Sequence, residues 1–213
     1  MPTTSRHMLA LAAALTAIPL ALTGCTTIVA TPITPSTSAP TAEPIEVAKP
    51  TNEPEPPAAD FVTVYDDSGI VSVNVPTSWT DVSGSQLSNG DGVQFHNVTA
   101  SPDLDAWSSG WTVPGVSVSS SQDQSLVIAD LINGTTTSLA GECEDKETGD
   151  YDDGVYVGSY VYLSNCGGIG TDYVSIVAQD ADKNFIICSI QMVSDEDKST
   201  VRDEILNSFW AIY

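Results

Sequence analysis

The sequence predicts an α+β domain, an antiparallel sheet with flanking helices, following a leader and a polar linker. Three observations predict it. Short apolar runs recur with period two from Phe61 onward, separated by Asp-, Asn- and Gly-rich turns. A few stretches carry helical spacing or helix-start signals instead. All four Trp, all seven Tyr and all four Phe lie within residues 60–213, so the core-forming material is confined there. A segment of that length is long enough to bury one core.

Each element follows from local pattern. Phe61 to Tyr65 reads as a strand, and Asp66-Asp67-Ser68-Gly69 as a turn, because Asp and Gly accept turn backbone angles. Ile70 to Val75 alternates and pairs back as a hairpin, with Pro76 ending it. Val93 to Val98 is a further strand. Ser101-Pro102-Asp103 reads as an N-cap followed by proline at the first helical position, opening a short helix through Trp107. Val116 to Ser120 reads as a strand, and Asp123 to Ile132 as a helix closed by Asn133-Gly134. Leu139 to Glu144, Val155 to Leu163, Tyr173 to Gln179 and Phe185 to Val193 read as strands, the last two joined by a loop over 180–184. Ser194 and Asp197 resemble a capping box, and Val201, Ile205 and Phe209 recur on one face of a closing helix.

The chain holds 28 acidic and 6 basic residues, a net charge of −22. Glu43, Glu46, Glu53, Glu55, Arg6 and Lys49 precede residue 60, which leaves 24 acids against 4 bases in the domain. Binding to nucleic acid rests on Lys and Arg neutralising phosphates, so no nucleic-acid partner is expected. Only His7 and His96 are present, which leaves little room for histidine-dependent catalysis.

The N-terminus reads as an address. Arg6 and His7 precede an apolar run from Leu9 to Leu22, shorter than the roughly 20 residues that span a bilayer. Leu22-Thr23-Gly24-Cys25 then matches the bacterial lipobox, in which the cysteine thiol takes a diacylglyceryl group and becomes the new N-terminus. Residues 1–24 are thus expected to be a lipoprotein signal peptide, and Cys25 the membrane anchor, since two acyl chains hold a protein where one is marginal. Residues 25–59 form a Pro/Thr/Ser-rich tether with eight prolines, a semi-stiff spacer reaching about 105 Å at most. The expected location is the extracytoplasmic face of a bacterial cell membrane.

That compartment is oxidising, so a disulfide is expected among Cys143, Cys166 and Cys188. Cys188 alternates with Ile186, Ile190 and Met192 and reads as a buried small hydrophobe. The pairing is then Cys143 with Cys166, with Cys166–Cys188 as the other candidate. The bridge would pin the acidic loop between its cysteines, a stabilisation of about 3 kcal/mol in the chain-entropy description.

No nucleophile elbow, zinc-protease helix, β-lactamase motif or phosphate loop is found, so no catalytic residues and no cofactor are assigned. The acidic stretch from Glu142 to Asp153 and the Asp180-x-Asp182 turn suggest Ca²⁺, since hard cations take carboxylate oxygens. The weak ligand candidates are Asp150, Asp152, Asp153, Asp180 and Asp182, but neither stretch fits an EF-hand loop. With Gly154 at the sixth position, Gly149 and Tyr151 stand where carboxylates are needed, and after Asp180-x-Asp182-x-Asn184 Phe185 replaces the glycine. Tyr156, Tyr160 and Tyr162 share one parity, and Val155, Val157, Val161 and Leu163 the other. The valine face is expected to point to the core. The tyrosine face is expected to be covered or partly covered; left open, it is a candidate ligand face for a glycan or protein.

Phe61 to Gly84, Ser101 to Gly115 and Tyr151 to Gly168 resemble an actinobacterial extracytoplasmic module of lipoproteins, also found appended to trypsin-like serine proteases. The Val75-Pro76-Thr77-Ser78-Trp79 turn is similar to that of PsbP-like domains and LpqN-type lipoproteins. The resemblance implies an α/β/α sandwich, a Cys143–Cys166 bridge, and a binding or assembly role without protease residues. The resulting expectation is a membrane-anchored surface lipoprotein presenting a non-catalytic binding module, its partner an extracytoplasmic protein or glycan. A Ca-dependent accessory or sensor subunit and a carboxylate-dependent hydrolase are the alternatives.

Overall fold

The computed structural model describes residues 60–213. The leader, Cys25 and the tether lie outside the described residues.

The chain opens on β1 (Phe61–Tyr65) and β2 (Val71–Pro76), which form the expected antiparallel hairpin, with Val64 opposite Val73. Its turn is closed by Asp66, whose carboxylate accepts from the Ser68 and Val71 amides, while Gly69 takes a left-handed φ of 73°. Then come β3 (Asp81–Ser88), β4 (Gln94–Ser101), α1 (Leu104–Ser109), β5 (Gly115–Ser121) and α2 (Ile128–Ser138). β6 (Asp145–Asp152), β7 (Val157–Cys166), β8 (Thr171–Gln179) and β9 (Phe185–Met192) form a meander. A π-helical turn (Asp197–Val201) runs into α3 (Arg202–Ser208), and β10 (Trp210–Ala211) follows.

Seven antiparallel strands build the main sheet in the order β3-β4-β5-β9-β8-β7-β6, and β1-β2-β10 form a second. The larger core lies between them. Val71, Val73 and Val75 of β2 and Val201, Ile205 and Phe209 of the C-terminal helical segment meet Val98, Val116, Val118, Ile176, Ile186, Cys188 and Ile190 of the main sheet. A smaller core fills the opposite face, where Ile132 of α2 covers Val161, Leu163, Val177 and Phe185. The domain is therefore predominantly β, with few helices. The α/β/α sandwich implied by the resemblance holds only coarsely, because a three-stranded sheet shares one outer layer with α3.

Several expectations are corrected. The helix expected over 123–132 starts at Ile128 and passes through Asn133-Gly134, because Ile128, Leu131, Ile132 and Leu139 all find apolar partners on the sheet. The first helix is capped by Asp103, which accepts from the Ala106 amide, and not by Ser101, whose hydroxyl donates to the Pro114 carbonyl. Leu139 to Glu144 is a loop, and the strand is the acidic segment after it, β6, at the sheet edge. Acidic side chains on an edge strand discourage pairing with another chain. β3 and β10 were not anticipated.

The polar face of β5 has its own order. Ser83, Thr99, Ser117, Ser189 and Ser175 lie opposite one another across β3, β4, β5, β9 and β8. Ser175 and Ser189 share a 3.0 Å hydrogen bond, and buried Asn97 donates to Ser117 and Ser119 in this layer. The Val-Ser alternation of β5 thus separates an apolar core from a hydroxyl layer.

Candidate functional site

The sequence-predicted residues fall into four places. Cys143 and Cys166 are joined in a disulfide, with Cα atoms 3.9 Å apart. The bridge ties the loop before β6 to the end of β7, closing the base of that hairpin. Cys188 is free and fully buried, and burial pushes its thiol well above the ordinary range.

The three tyrosines pack on the larger core, as does Val155; of the valine parity, Val161 and Leu163 lie under α2 and Val157 is exposed. Tyr156 is 3% exposed, so it is core and not a ligand contact. Its ring packs 5.7 Å from that of Phe209, and its hydroxyl accepts from the Ala211 amide. Burial raises its phenol to about 12. Tyr160 and Tyr162 are half-buried. The Tyr160 hydroxyl donates to Glu147 at 2.9 Å, and that bond raises its pKa. The Tyr162 hydroxyl donates to Asp172 at 2.6 Å; burial first, then this bond, lifts it to about 12. Asp172 also pairs with Lys198 at 3.0 Å and accepts from the Asn165 amide. Burial opposes its ionisation, but the Tyr162, Lys198 and Asn165 bonds outweigh burial and hold its pKa low. This face is a locked polar row on a covered layer.

The acidic candidates shape turns. Asp153 accepts from the Val155 and Tyr156 amides and the Tyr151 hydroxyl. Asp152 accepts from the Gly154 amide, and Asp180 from the Asp182 and Asn184 amides and the Asn184 side chain. Asp150 and Asp182 are exposed. No group of three or more His, Cys, Asp or Glu side chains stands in a metal-holding arrangement among the described residues.

His96 of β4 meets the β1–β2 turn. Its Nδ1 lies 2.9 Å from the Ser68 hydroxyl and 3.4 Å from the Asp66 carboxylate, and Ser68 also donates to Asp66. Burial acts to raise Asp66, yet the bonds from Ser68 and Val71 lower it overall. A Ser-His-acid relay needs the acid and the serine on opposite ring nitrogens. Here both face one nitrogen, so the trio latches the hairpin turn to β4. Gly84 lets that turn approach: a Cβ there would lie 2.7 Å from the Asp67 nitrogen. Tyr213 sits edge-on to the His96 ring, and a concavity of about 290 Å³ opens between them and Asp123.

A wider concavity, about 660 Å³, opens on the α2 face. Ile128 and Ala129 of α2 form one wall, the start of β7 (Val157 to Ser159) the floor, and the turns around Gly154 and Lys183 the remaining rim. That volume lies within the range of small-molecule sites, about 300–1,000 Å³. Val157 is 58% exposed there. Sequence reasoning missed this site, because it placed Val157 with the core valines by parity. The available signal was position: Val157 is the first residue of its strand.

No protein-family model and no curated protein matches the chain. Among solved structures it is similar to the solution structure of cyanobacterial PsbP (CyanoP) from Synechocystis. The two share 16% identity over 73% of this chain and 94% of that one, with a TM-score of 0.39.

Proposed function

We propose that the chain is a bacterial surface lipoprotein, held on the extracytoplasmic face of the membrane through diacylglyceryl Cys25. On this reading residues 25–59 tether a non-catalytic binding module. One observation carries the reading: the 660 Å³ groove lies on the opposite side of the main sheet from the small sheet that contains β1. The tether would reach the domain at Asp60, immediately before β1, whose sheet lies across the main sheet from the groove. The latch geometry of His96, and the amides already satisfied by Asp153 and Asp180, support a binding role over a hydrolytic or Ca²⁺-dependent one.

The experiment is fractionation and crosslinking on intact cells. Wild type is expected in the membrane fraction and Cys25→Ala outside it. A photo-reactive residue placed in the module is expected to capture an extracytoplasmic partner. Membrane retention of Cys25→Ala would sink the anchor, and absence of crosslinks from every face of the domain would sink the binding module.

A further inference from the structure

The groove on the α2 face has three chemical features, and together they select one kind of ligand. The first is apolar surface. Val157 on the floor is 58% exposed, and Val155, Ile128 and Ala129 line the groove around it. The exposed Val157 leaves an apolar contact unfilled, and burying such a side chain against a partner is favourable by about 1.5–3 kcal/mol.

The second is charge. Asp180 lines the groove, Asp130 follows the wall residue Ala129, Asp152 and Asp153 lead into Gly154, and Asp182 sits between Ala181 and Lys183. Lys183 is the one cation on that rim among the described residues. Such a field attracts a cationic ligand and repels an anionic one.

The third is hydrogen bonding. Val127 gives α2 no side-chain cap, so the amides of Ile128 and Ala129, both wall residues, are open to carbonyl acceptors. A bare metal ion would leave Val157 and the amides unused. A peptide uses all three features: an apolar side chain on Val157, main-chain carbonyls on the α2 amides, and Lys or Arg side chains on the rim carboxylates.

We infer that this groove docks a lysine- or arginine-bearing peptide segment of a partner protein, with one apolar side chain of that segment seated on Val157. The inference rests on the reading of the chain as a binding module and names its ligand class.

The test titrates the full chain, in detergent micelles, with a short synthetic peptide alternating lysine and leucine, and with a counterpart carrying glutamate for lysine. The lysine peptide is expected to bind and the glutamate peptide not to. Val157→Ser, and separately the pair Asp130→Lys with Asp182→Lys, are expected to weaken binding about tenfold or more. The pair Glu144→Lys with Asp195→Lys, which makes the same charge change away from the groove, is expected to leave affinity unchanged. No binding of the lysine peptide, or equal losses from both charge pairs, would overturn the inference, the second outcome reducing it to diffuse attraction. Photo-crosslinking separates this failure from failure of the wider reading. Capture from other faces but not from position 157 defeats the groove and leaves the module standing.

Discussion

The phenol oxygen of Tyr156 accepts a 3.0 Å hydrogen bond from the backbone amide of Ala211. The contact fastens the short strand β10 to the turn before β7, and it explains why a tyrosine in a mostly apolar core keeps its hydroxyl. Tyr156→Phe leaves the shape intact and the Ala211 amide without its partner. The expected cost is about 1–3 kcal/mol, read as a lower urea midpoint, with loss of exchange protection at Ala211 ahead of the rest of the domain.

Gly158 and Gly149 test two kinds of crowding. A Cβ at Gly158 would lie 2.1 Å from the Val177 carbonyl oxygen and 2.5 Å from the Ala178 Cα, both backbone. β7 and β8 would have to part, so Gly158→Ala is expected to destabilise by about 3 kcal/mol. At Gly149 the obstruction is the Tyr160 ring, at 2.6 Å, on the sheet's outer edge. That ring can swing away, so Gly149→Ala is expected to cost about 1 kcal/mol or less, the value of the Tyr160–Glu147 bond. Thermal unfolding of the two variants side by side checks the ordering.

Gly134→Ala is expected to act in the opposite sense. Gly134 lies inside α2, and a Cβ there meets nothing within 4 Å. Alanine lowers the backbone entropy of the unfolded chain and favours helix, so stability should rise by about 0.5–1 kcal/mol. A fall in melting temperature would show that the helix does not run through this position.

Acid should weaken the fold through Asp66 and Asp172. Both carboxyls have folded-state pKa values below their ordinary 3.8. A depressed carboxyl stabilises the fold fully above its unfolded value, and that contribution is lost as pH falls through the folded value. Urea midpoints should therefore drop steeply below about pH 3.8. Asp172→Asn should lower stability at neutral pH and flatten the acid limb, since it removes the partner of Lys198 and the acceptor of Tyr162.

The strands β5, β7, β8 and β9 were legible because alternation and turn residues agreed. Gly115 to Ser121 shows its two faces as valine against serine, and Asp180 with Asn184 marks the β8–β9 hairpin. β3 was not legible: Asp81 to Ser88 is rich in Ser and Gly, and becomes a strand only because β4 offers it an edge. β6 was hidden by its charges, which suit an outer edge but read as loop. The end of α2 was misread at Asn133-Gly134, where packing by Leu139 outweighs a local stop signal. The disulfide followed from reading Cys188 as core. The groove did not follow, because it depends on where α2 stops covering β7, a distance no periodicity carries.

The small sheet gives the domain an order of assembly. β2 takes β1 on one edge, a neighbour in sequence, and β10 on the other. Near the second pairing the Asn74 amide donates to the Ser208 hydroxyl, 134 residues along the chain. The first pairing needs one turn; the second needs a loop spanning nearly the whole domain, and such closures are slow. The hairpin can form early, but its far edge stays bare until the seven-stranded sheet has brought α3 into place. On refolding, the fluorescence of Trp210 should therefore be the last signal to become native.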